Sequence, residues 1–96
     1  MVVAKNDPIP HKFTIQAAPN PFNPLTTIFV RLPEKADVTI EIHDVLGRRI
    51  SSEVVYDLLP GEYGFPFAPE SSSSGVYIIQ AKAGMLQSSI KVLFLR

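Results

Sequence analysis

The sequence predicts an all-β domain, an immunoglobulin-like antiparallel β-sandwich of about seven strands. Apolar and polar residues alternate with period two from Phe13 onward, the pattern of a half-buried strand. Pro, Gly, Asn or Ser interrupts that alternation roughly every 8–12 residues, the spacing of short sandwich strands. No segment carries a helical period. A chain of 96 residues holds one core, since cores divide only beyond roughly 250–300 residues.

Residues 1–12 include Lys5, Asn6, Asp7, Pro8 and Pro10 without a sustained apolar period. They read as a linker or an added N-terminus, leaving 13–96 as the folded domain. The first strand, 12–17, sets Phe13 and Ile15 on one face. The second, 26–32, turns Ile28, Val30 and Leu32 inward and Thr27, Phe29 and Arg31 outward, and Pro33 ends it. The third, 37–45, buries Val38, Ile40 and Ile42 while Thr39, Glu41 and His43 face out. Leu46 and Gly47 turn the chain into the fourth, 48–56, with Gly47 supplying positive φ. Pro60 and Gly61 open the fifth, which carries Tyr63, Phe65 and Phe67 on one face. Pro66 within it has no amide hydrogen for a ladder, which places that strand at an edge or a bulge. A loop at 71–74 leads to the sixth strand, 75–82, joined by a hairpin around Gly84 to the seventh, 88–95.

Composition excludes several classes. Apolar residues make up 46% of the chain, enough to fill two facing layers and too many for a disordered segment. There is no cysteine, hence no disulfide and no thiolate ligand or nucleophile. Nine Lys plus Arg balance nine Asp plus Glu without a block of one sign, so nucleic acid is not an expected partner. No apolar run approaches the ~20 residues of a transmembrane helix. The N-terminus lacks a basic-then-apolar export signal, so any such signal is expected in a longer parent chain. Oligomeric state is left open.

The most unusual string is Pro19-Asn20-Pro21-Phe22-Asn23-Pro24. Three prolines stiffen it toward an extended corner between two strands, the asparagines can bond local backbone, and Phe22 is placed to plug an open end of the sandwich. The string leads through Leu25-Thr26-Thr27-Ile28 to Leu32-Pro33. It is followed in order by residues 38–44 with Gly47-Arg48, by Gly61-Glu62-Tyr63 with Ser74-Gly75-Val76-Tyr77, and by the terminal 91–96. In order and spacing these pieces resemble the type A C-terminal sorting domains of the type IX secretion system of Bacteroidota and related Gram-negative bacteria. The resemblance covers residues 13–96.

That resemblance implies a non-catalytic address label on an exported cargo carried by N-terminal domains of the parent chain. It implies passage through the periplasm and recognition there by the outer-membrane translocon. Removal by a sortase-like peptidase follows, with the cargo released or attached at the cell surface. His43 stands where family members usually have Tyr or Phe, and Arg96 where Lys is more usual.

Pro19, Asn20, Pro21, Phe22, Asn23, Pro24, Gly47, Gly75 and Tyr77 are expected to be structural, Tyr77 by placing its hydroxyl on nearby backbone as a tyrosine corner does. Recognition is expected to fall on Lys91, Val92, Leu93, Phe94, Leu95 and Arg96. Ile90, Val92 and Phe94 point inward there, and Leu93 and Leu95 outward, on a terminal strand that could pair with another protein. Arg48 and Arg49 follow a tight turn and read most simply as a solvated pair, with Arg48 a second candidate handle for a receptor. His11 and His43 are the only histidines and too few for a metal site, so neither metal nor cofactor is expected. Glu41 and Asp44 project to opposite faces and form no acid–base pair, and the serines at 71–74 have no nucleophile elbow. An enzyme is the weakest reading. The alternative is a carbohydrate-binding or structural accessory module of a secreted hydrolase, for which only Tyr56 and Phe29 could offer aromatic faces.

Overall fold

The computed structural model describes residues 3–5, for which the backbone alone is considered, together with 11–69 and 74–95. The serines at 71–73 and Arg96 lie outside the described residues. All seven expected strands form: β2 (Thr14–Ala18), β3 (Thr26–Leu32), β4 (Ala36–Asp44), β5 (Arg49–Leu58), β6 (Gly61–Phe67), β7 (Gly75–Ala83) and β8 (Leu86–Phe94). A short β1 (Val3–Lys5) precedes them, within the stretch expected to be linker. It pairs antiparallel with β6, opposite Glu62, Tyr63 and Gly64. Three residues show no detectable period, so pairing could not be read from pattern alone.

One sheet has the order β1-β6-β3-β2 and the other β5-β4-β7-β8. The chain crosses between sheets after β3, β5 and β6, which gives the immunoglobulin-like arrangement. Period-two alternation decides the faces. Ile28, Val30 and Leu32 of β3 are buried beside Phe65 in the first sheet, and Val38, Ile40 and Ile42 of β4 beside Ile79 and Val92 in the second. Each such side chain contributes roughly 1.5–3 kcal/mol on burial. Contrary to the expectation from Pro66, β6 is neither an edge strand nor bulged: it lies between β1 and β3, and Pro66 pairs in regular register with Thr27.

Gly64 has a packing reason. It sits directly across from Phe29, and a Cβ there would lie 3.2 Å from Thr27 Cγ2 and 3.7 Å from Phe29 Cε1. The Phe29 ring therefore covers the strand where Gly64 has no side chain, which leaves Phe29 half-buried rather than turned out to water.

Candidate recognition surface

The string at 19–24 does not run extended between β2 and β3. It leaves the first sheet, with cis peptide bonds before Pro19, Pro21 and Pro24, and lies along the outer edge of β8. Phe22 forms an isolated parallel bridge with Phe94: its amide donates to the Leu93 carbonyl at 2.9 Å, and its carbonyl accepts the Leu95 amide at 3.0 Å. Asn20 makes the preceding rung with its side chain. Oδ1 accepts the Leu93 amide at 2.9 Å and Nδ2 donates to the Lys91 carbonyl at 3.3 Å. A parallel strand would supply these bonds from its own carbonyl and amide, and the carboxamide carries the same acceptor and donor. The Thr26 hydroxyl donates to the Pro19 carbonyl at 2.8 Å and pins the other end of the strap.

Phe22 is 2% exposed. Its ring lies 5.2 Å from Phe94 and 5.9 Å from Phe67, and Tyr77 packs edge-on against Phe67 at 5.9 Å. This aromatic cluster fills the end of the sandwich where β6 and β8 finish. The open edge expected for the terminal strand is thus closed from Lys91 to Leu95. Backbone pairing with another sheet is blocked there, because the outward-facing groups already have partners. Leu93, expected to point into solvent, is half-buried, while Lys91 and Leu95 remain exposed. Tyr63 anchors its hydroxyl on backbone, donating to the Leu59 carbonyl.

Asp44, at the end of β4, organises the turn into β5. Its Oδ1 accepts the amides of Leu46 and Arg48, both at 2.9 Å, and its Oδ2 accepts Arg48 Nε at 2.8 Å. Gly47, at φ 83°, closes the turn by donating its amide to the Asp44 carbonyl. Desolvation pushes the Asp44 carboxyl up, but the Arg48 amide, the Arg48 side chain, the Leu46 amide and the Arg48 charge together hold it below its ordinary value. Arg48 and Arg49 stay largely exposed, Arg48 paired with Asp44 and Arg49 lying 4.0 Å from Glu41.

Register joins these elements. Asp44 lies opposite Tyr77, and Tyr77 opposite Val92. Phe94 lies opposite Gly75 and bridges Phe22. The strap, the turn bearing Arg48, the start of β7 and the end of β8 thus share one end of the second sheet. An open cleft of about 460 Å³ lies there, lined in part by Leu46, Arg48, Ile50 and Val76. Val45, Leu46 and Ile50 are exposed at 67%, 74% and 40%. The sequence reading missed them, although an apolar Val45-Leu46 pair in a turn followed by two arginines was a visible signal. Tyr56 and Phe29 lie on different sheets and form no coplanar strip for a sugar.

Fold and surface define a class: a small β-sandwich module that presents its own terminal strand as part of a closed framework. No curated protein matches the chain. The family of secretion system C-terminal sorting domains matches residues 16–94, and the chain belongs to that family. It is the C-terminal sorting signal that directs a cargo protein through type IX secretion, to the cell surface or the extracellular space.

Proposed function

We propose that the outer-membrane translocon recognises this domain in the periplasm as a folded unit, and that a sortase-like peptidase then separates it from the cargo domains that precede it. The cargo is released or attached at the surface. The observation that carries this reading is the closed edge of β8: the strap holds the terminal strand through four hydrogen bonds, two from Asn20 and two from Phe22. The address is part of a rigid sandwich rather than a loose tail.

The test fuses the whole chain behind an exported fluorescent reporter in a strain that has the secretion system. Fluorescence is expected at the surface or in the medium and is lost when the translocon is deleted. Periplasmic retention in both strains would reject the reading.

A further inference from the structure

All nine carboxylates of the chain fall at residue 7 or between residues 34 and 70. Residues 11–33, which hold β2 and the strap, contain no Asp or Glu, and neither do residues 71–96, which hold β7 and β8. In space the outer face of the β7–β8 hairpin is therefore free of acids. On the adjoining β4, Glu41 lies opposite Gln80 and is turned toward Arg49, and Asp37 stands toward the far end of the strand. At the turn end of the sheet, both oxygens of Asp44 already accept bonds from the turn. The side chains of Arg48 and Arg49 are 73% and 63% exposed, and Lys91 has no carboxylate partner among the described residues. Arg48 and Arg49 line the cleft together with Leu46, Ile50 and Val76, as does Asp44, whose oxygens the turn occupies, while Lys91 stands beside it on β8, opposite Ile78.

Resting on the sorting reading, we infer that this end of the second sheet is the docking face, and that it takes an acidic segment of a protein partner carrying one large apolar side chain. The carboxylates meet Arg48, Arg49 and Lys91, and the apolar side chain enters the cleft. An apolar centre with a charged rim is the usual anatomy of a specific protein contact, and unlike charges across it speed encounter. An anionic membrane surface is the poorer match, because binding one takes a cluster of roughly 4–8 Lys or Arg. The strap leaves the partner no backbone edge along 91–95, so recognition there runs through side chains.

The test uses the full-chain reporter with two variants, Arg49→Glu with Lys91→Glu, and Val45→Ser with Leu46→Ser. The control is Lys35→Glu with Tyr56→Ser, at the other end of the sheet. At unchanged Tm, translocon-dependent export should fall about tenfold in the charge-reversed variant, within the range over which charge steering acts, fall also in the apolar-to-serine variant through loss of the cleft contact, and stay at the wild-type rate in the control. Wild-type export of both docking variants overturns the docking face and leaves the sorting reading standing. A wild-type reporter that is not exported removes both. Co-sedimentation with vesicles of equimolar phosphatidylcholine and phosphatidylglycerol, abolished by Arg49→Glu with Lys91→Glu, assigns the face to a membrane and also overturns it.

Discussion

The side-chain oxygen of Asn20 accepts the backbone amide of Leu93, 73 residues further along the chain, at 2.9 Å. A carboxamide thereby replaces one peptide unit of a parallel strand and seals an edge that would otherwise be open to another sheet.

Replacing Asn20 separates its two bonds. Asn20→Asp keeps the acceptor for Leu93 but loses the donor to Lys91 and sets a carboxylate against that carbonyl. Asn20→Ala loses both. Each is expected to destabilise by about 1–2 kcal/mol, a fall in Tm of about 4–8 °C per kcal/mol for a domain of this size. Amide exchange at Leu93 should accelerate strongly in Asn20→Ala and much less in Asn20→Asp. Equal protection of Leu93 in wild type and Asn20→Ala would refute the rung.

Phe22→Ala removes the centre of the aromatic cluster with Phe67 and Phe94. A loss of about 3–5 kcal/mol is expected, a large share of the roughly 5–15 kcal/mol that holds a domain folded. Urea denaturation measures it, and a midpoint close to wild type would mean that the strap does not depend on its anchor.

Gly64→Ala places a methyl group 3.2 Å from Thr27 Cγ2. Overpacking of this kind costs about 1–3 kcal/mol. Thr27→Ser removes the opposing methyl and should restore most of the loss in the double variant, as a thermal double-mutant cycle would show. Additive effects would place the strain elsewhere.

Asp44 should titrate below the ordinary carboxylate value of 3.8. Because its folded-state pKa is depressed, its contribution is present above the unfolded value and is lost as pH falls through the lower, folded one. Carboxyl NMR gives the midpoint directly. In Asp44→Asn the corresponding acid dependence of Tm should vanish, and an unchanged dependence would assign it to other groups.

Much of the molecule is legible in local pattern. Alternation at Ile28, Val30 and Leu32 and at Val38, Ile40 and Ile42 sets their inward faces, because successive side chains of a strand point to opposite sides. Gly47 and Gly84 mark turns for the same local reason, a positive φ at each. The ordered motifs from Pro19 to the end of β8 likewise carry the family. The edge of β8 was not legible. A period of two is identical for an open edge strand and for one that a distant strap covers, so Leu93 was expected in solvent.

The sequence by itself determined the seven strands from β2 to β8, their inward faces, the single core and the sorting family, since each depends on neighbours within a few residues or on ordered motifs, but not the short β1. Only the tertiary structure decided that residues 20–22, 45–50 and 91–95 meet at one end of the second sheet. It also decided that the terminal strand is sealed and that the acid-free segments form one face. Those outcomes depend on bonds across 71 and 73 residues of chain, and no local periodicity encodes which distant groups will find one another when two sheets close.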